Sequence, residues 1–264
     1  MNKQNFLQKS LVWVMFLMSM FFIGSTCTTV HGQSDSKPKI KVALIYTGTS
    51  PELKEYTERE IREQLGADVE LMNYEVPSVL EEVRKTGYVT AAPAAKMIRT
   101  YMEAVEAGAD AVLSICSTMG DVAYSVQDAA KYLGVPIVIV NEEMCREAVR
   151  RGGKIAVMAT LPTSIAPTKN IIARVSREMG KQVEVIEVRV DGAYGLDREQ
   201  FQARMSEEAA KIADQVDVIV FSQGSMAYCE KLIADQFHVT VLSNPHYGAK
   251  ALKAALAEKG MIGK

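Results

Sequence analysis

Residues 110–120, DAVLSICSTMG, return without a gap as residues 217–227, DVIVFSQGSMA, 107 positions further along the chain. An apolar run that ends in small polar residues reads as a buried strand passing into a helix start. Its recurrence constrains the chain to two related halves. The repeat sets Asp110 against Asp217, Met119 against Met226 and Cys116 against Gln223.

A second correspondence lies upstream. Residues 154–159 match residues 41–46 as strands, with Thr160 opposite Thr47 and Thr163 opposite Ser50 at an offset of 113. In the first half, strand 40–46 leads to a helix capped by Ser50, with Pro51 at its first position and Gly66 at its end. Strand 69–74, a loop-like stretch 86–93, helix 94–107, helix 117–133 and strand 135–140 follow. The second half reads as strand 183–188, helix 198–213, strands 218–221 and 239–242, and a final helix 248–258. Such alternation predicts an α/β fold: two pseudo-symmetric parallel-sheet halves, residues 40–151 and 152–264, with the site in the cleft between them. Each half has about 110 residues, enough for a modest core.

Ahead of these halves, Lys3 and Lys9 precede an apolar run at residues 11–23 and then small and polar residues. This is the layout of a secretory signal, too short to span a bilayer comfortably. The expected division is a signal at residues 1–32, cleaved near Gln33, and a linker at 33–39. A lipid on Cys27 is the alternative, and an uncleaved anchor a third. The expected location is periplasmic or secreted. Without residues 1–32 the chain has 28 basic and 32 acidic residues, which points to neither nucleic acid nor an anionic membrane as partner. The expected partner is a small-molecule carboxylate; a homo-oligomer is allowed. Three cysteines then remain, Cys116, Cys145 and Cys229, and an odd number leaves at least one free thiol. A disulfide between Cys116 and Cys145 stays open.

In parallel α/β sheets, ligands bind outside the carboxyl ends of the strands, where helix starts present free N–H groups. Thr47, Cys116, Ser117, Thr118 and Asn141 from one half should therefore meet Thr160, Thr163, Gln223, Gly224 and Ser225 from the other. The N–H groups of residues 117–118 and 224–225, with the nearby hydroxyls, suit a carboxylate. A cysteine among such donors should have a lowered pKa. His238 and His246 have no metal-like spacing, and Arg150 to Lys154 reads as a basic helix end and turn, so neither zinc, a phosphate loop nor another cofactor is expected.

Taken in order, ICSTMGD, IAVMATLPTSIAPT, VFSQGSMA and VLSNPHYGAKAL resemble the aspartate/glutamate/hydantoin racemase superfamily, from about Lys39 onward. The resemblance implies two pseudo-symmetric halves and cofactor-independent proton transfer by one cysteine from each half. Cys116 matches the first cysteine, Gln223 stands at the second, and Thr47 takes the place of an aspartate of glutamate racemases. The histidine after the second cysteine is absent, and Cys229 is too far along to substitute. The resemblance therefore implies a racemase-like isomerase with one cysteine, Cys116 as acid or base and Gln223 as its orienting partner. The one-cysteine decarboxylases of the superfamily supply a related reaction. The alternative is a non-catalytic periplasmic protein that binds a small carboxylate.

Overall fold

The structure, a computed structural model, describes residues 39–263. The expected signal, its cleavage site, Cys27 and all of the linker but Lys39 lie outside the described residues. Among the described residues eight strands form two parallel sheets: β1 (Lys41–Tyr46), β2 (Glu70–Glu75), β3 (Ala111–Ile115) and β4 (Ile137–Ile139), then β5 (Lys154–Ala159), β6 (Glu184–Arg189), β7 (Val218–Phe221) and β8 (Thr240–Ser243). The sheet orders are β2-β1-β3-β4 and β6-β5-β7-β8, the same order twice. The helices are α1 (Pro51–Leu65), α2 (Pro77–Thr86), α3 (Ala91–Glu106), α4 (Gly120–Ser125), α5 (Gln127–Leu133), α6 (Glu142–Arg151), α7 (Ile165–Glu178), α8 (Arg198–Ala210), α9 (Glu230–Phe237) and α10 (Asn244–Glu258).

Helices cover both faces of the central strands, so these read as unbroken apolar runs. In KVALIY and KIAVMA only the leading lysine escapes burial. Each Val, Leu or Ile so covered contributes about 1.5–3 kcal/mol. The edge strands β2 and β6 are half-exposed and carry Glu at both ends or Glu and Arg, which discourages pairing with another chain.

The repeated aspartates have a structural task. Asp110 Oδ2 accepts from the Lys41 N–H at 2.9 Å. Asp217 Oδ2 accepts from the Gly153 and Lys154 N–H groups at 2.8 Å each. Both clip the start of the first strand of their half to the strand beside it.

Several elements differ from the sequence reading. Helix α2 occupies residues to which the sequence reading assigned no element. Helix α3 begins at Ala91, inside the stretch 86–93 expected to be loop-like and ahead of Pro93, because proline is tolerated in a first helical turn. The expected helix 117–133 is a three-residue 3-10 turn, Ser117–Met119, followed by two short helices that meet at Val126.

The halves exchange their last helices. Met144, Cys145, Ala148 and Val149 of α6 pack with Ile155, Val157 and Val220 of the second sheet. Ala249, Leu252 and Leu256 of α10 pack with Val42, Leu44 and Leu113 of the first. Helix α10 passes so near the end of β4 that a Cβ on Gly248 would lie 2.8 Å from Val140 Cγ2 and 3.0 Å from its carbonyl oxygen. Gly248→Ala is therefore expected to destabilise the protein by about 1–3 kcal/mol, seen as a lower urea midpoint with an unchanged slope. A change within about 0.5 kcal/mol, the usual span for surface substitutions, would show that this approach is not tight.

Candidate active site

Strand register builds the floor of the cleft. Tyr46 on β1 pairs with Ile115 on β3. Thr47 and Cys116 therefore leave the sheet side by side, and Thr47 Oγ1 donates to Cys116 Sγ at 2.7 Å. In the second sheet Met158 pairs with Phe221, which brings Thr160 beside Gln223. The Thr160 N–H donates to Gln223 Oε1 at 2.8 Å, and Gln223 Nε2 donates to Thr160 Oγ1 at 2.8 Å. Equivalent strand ends are thus joined twice, through a sulfur in one half and a carboxamide in the other.

The two side chains differ in chemistry. The Gln223 carboxamide is locked against Thr160 and neither gives nor takes a proton near neutral pH. Cys116 is ionisable, 8% exposed, receives a hydrogen bond from the Thr47 hydroxyl, and has the N–H groups of Met119 and Thr118 nearby as further donors. Those donors were expected to lower its pKa; the structure reverses that expectation. Burial is the largest influence and raises the thiol above its ordinary value, with the three donors opposing it. The turn behind Cys116 is only three residues long, too short to present a sizeable helix dipole against the desolvation of a thiolate. At neutral pH the group is a protonated thiol.

Above this floor opens a cavity of about 690 Å³ between the halves. The first half contributes Thr47, Cys116, Ser117 and Thr118 to it, and the second Gln223, Gly224 and Ser225. Gly224 and Ser225 open a 3-10 segment, so their N–H groups have no partner within it. Gly224 allows a tight approach: a Cβ there would meet Leu53 Cδ1 at 2.7 Å and Asn244 Oδ1 at 3.1 Å.

Three expected residues do not line the cavity. Thr160 lies beneath it, occupied with Gln223. Thr163 stands behind Thr118, hydroxyl to hydroxyl at 3.3 Å. Asn141 is fully buried, its Nδ2 donating to Thr168 Oγ1 at 3.2 Å. The residue that sequence reasoning passed over is Asn244, which follows the last strand of its half as Asn141 does. Asn244 starts the exchanged helix α10 and therefore reaches the cavity. Its Nδ2 donates to Ser117 Oγ at 3.2 Å and to the Ser222 carbonyl at 3.1 Å. Its Oδ1 is buried without a partner among the described residues.

Cys145 and Cys229 are free, fully buried members of the core, with thiol pKa values pushed up by burial, that of Cys229 to about 12. Cys116 is also free, so the open disulfide alternative is not realised. Among the described residues no three His, Cys, Asp or Glu side chains gather as a metal-binding group.

The model of the Asp/Glu/hydantoin racemase family matches residues 42–252. None of the curated proteins matches the chain. Among solved structures, a glutamate racemase isoform from Bacillus anthracis is similar with a TM-score of 0.64 at 16% identity, covering 85% of this chain and 84% of that one. The allantoin racemase from Klebsiella pneumoniae gives 0.62 at 17% identity, covering 86% and 91%. The maleate isomerase from Pseudomonas putida S16 gives 0.55 at 15%, covering 83% and 94%.

Because the Cys116 pKa is raised, its alkylation by iodoacetamide, followed on the Cys116 peptide by mass spectrometry, is expected to reach half its limiting rate above the ordinary thiol value of about 8.5. Thr47→Val removes a donor to the sulfur and should move the midpoint higher still. A wild-type midpoint below the ordinary value would mean that the donors outweigh burial.

Proposed function

The chain belongs to the Asp/Glu/hydantoin racemase family, and from that premise we propose a cofactor-independent isomerase that moves a proton on one face of the carbon next to a carboxylate, with Cys116 as its acid–base group. The observation that carries this reading is the pairing of Cys116 with Gln223 at equivalent strand ends. One face of a substrate in the cleft meets an ionisable group, whereas the other meets an amide. The glutamate and allantoin racemases and the maleate isomerase that share the fold favour an isomerase over a decarboxylase or a binding protein.

In this mechanism the substrate carboxylate rests against the Gly224 and Ser225 N–H groups and the hydroxyls of Ser225 and Thr118. The Cys116 thiolate removes the neighbouring proton: the C–H bond breaks, an S–H bond forms, and the electron pair moves into the carboxylate. Donors already aimed at that carboxylate stabilise the added charge without reorganisation. The thiol then delivers the proton on the same face to another carbon of the delocalised intermediate, which moves a double bond and gives the isomer. Its return to the carbon it left regenerates the substrate and is read as exchange with retained configuration. Burial makes the thiolate scarce but a stronger base, which suits a weakly acidic carbon. Thr47 holds the sulfur in line. We place this reaction outside the cytoplasm, on the strength of the apolar run at residues 11–23.

The test is incorporation of deuterium from D2O into a panel of small carboxylates and amino acids, followed by NMR and chiral chromatography. Exchange with retained configuration is expected. Cys116→Ala should reduce it by roughly 10²–10⁴-fold, the usual worth of a positioned acid or base. Gln223→Cys should place a second ionisable group on the opposite face and convert retention into racemisation. Exchange that survives in Cys116→Ala would remove the cysteine from the mechanism.

A further inference from the structure

The repeat is broken at one place beside the cavity. In the first half two helices, α2 and α3, stand between β2 and β3. In the second half β6 ends at Arg189 and the single helix α8, which begins at Arg198 opposite the start of α3, leads to β7. The irregular residues 190–197 therefore stand where the first half has α2. This connecting segment supplies Tyr194 and Leu196 to the cavity wall and leads into Arg198. No core depends on these three side chains: Tyr194 is 44% and Leu196 36% exposed. Instead the segment reaches across to the first half, where the Arg84 guanidinium of α2 stands 4.8 Å from the centre of the Tyr194 ring. A Cβ on Gly48 would come within 4.0 Å of the Tyr194 hydroxyl.

Opposite and beside it the wall is aromatic. Tyr56 from α1, Phe201 from α8 and Tyr228 face the same space, and the last two rings are 5.3 Å apart. Arg198 stands 5.4 Å from the centre of the Tyr228 ring. Glu52, Glu55 and Asp197 also line the cavity. Asp197 is occupied in capping α8 through the Gln200 N–H at 2.9 Å. Among the described residues Arg198 has no carboxylate within ion-pair distance, which leaves a flat cation free to stack on a ring.

Volume decides what such a wall can receive. A cavity of about 690 Å³ lies in the range of sites that hold drug-sized ligands, about 300–1,000 Å³. A small amino acid of about ten non-hydrogen atoms, at no more than a water's share of roughly 30 Å³ each, fills less than half of it.

Resting on the proton-transfer reading above, we propose that the substrate is an extended carboxylate: its acid group and reacting carbon sit at Cys116, and an aromatic or other flat apolar arm lies between Tyr194, Tyr228 and Arg198. The segment that replaces the α2 region is then the part of the chain that selects the substrate.

Protection of Cys116 from iodoacetamide, measured at pH 9 on the intact protein, tests this with glutamate, N-acetylglutamate and N-benzoylglutamate. These probes share their carboxylates and differ in the arm. N-benzoylglutamate is expected to protect at a concentration at least tenfold lower than glutamate. Tyr194→Ala and Tyr228→Ala should each remove about tenfold of that advantage while leaving protection by glutamate unchanged, and their melting curves report whether they are folded. Equal protection by glutamate and N-benzoylglutamate would overturn the extended substrate and leave the proton-transfer reading standing. No protection by any of the three would overturn it as well, and deuterium exchange into small carboxylates then decides the proton-transfer reading separately.

Discussion

The register between the first and third strands of each sheet is the constraint on which the site depends. Parallel strands held in step by evenly spaced hydrogen bonds end side by side, so the residues just beyond them must touch. In the first sheet that rule makes neighbours of Thr47 and Cys116, and in the second of Thr160 and Gln223. A slip of one residue would turn each of these side chains to the opposite face. Burial of nearly every residue of β1, β3, β5 and β7 prevents such a slip.

Two copies of one geometry have been filled with unlike chemistry. The Thr47 hydroxyl donates to a sulfur that can lose its proton. Thr160 gives its N–H and receives a hydrogen bond in return, which uses one donor and one acceptor of the Gln223 amide. The second arrangement is a structural lock, whereas the first holds an ionisable thiol. The raised thiol pKa follows from the same enclosure that makes the cleft useful: removing water from the sulfur disfavours its charge and strengthens whatever charge the neighbours do stabilise.

Exchange of the last helices sets how the two floors face one another. Helix α10 leaves the second sheet, passes against Val140 and covers the first sheet, carrying Asn244 over Ser117 as it goes. Helix α6 makes the reverse journey and buries Cys145 against the second sheet. Each half is therefore completed by the other. A change that loosens either helix should disturb the cleft together with the core.

Much of this was legible beforehand, because it rests on local pattern. Apolar runs located the central strands, Ser50 and Pro51 marked the start of α1, and the repeat of DAVLSICSTMG in DVIVFSQGSMA put Cys116 and Gln223 in equivalent places. Helix α2 was given no element, and α3 starts three residues earlier than its apolar periodicity indicated, because Pro93 is accommodated within the first turn. Among the candidate ligands, spacing could not separate Asn141 from Asn244, since both follow a final strand. By itself the sequence determined two parallel α/β halves and an ionisable Cys116 opposite an inert Gln223 at equivalent strand ends, since periodicity and register are properties of neighbouring residues. Only the tertiary structure decided that the thiol pKa rises, and that Asn244, Tyr194 and Arg198 line the cavity. Burial, helix exchange and the reach of a loop depend on residues distant in the chain, which no local pattern records.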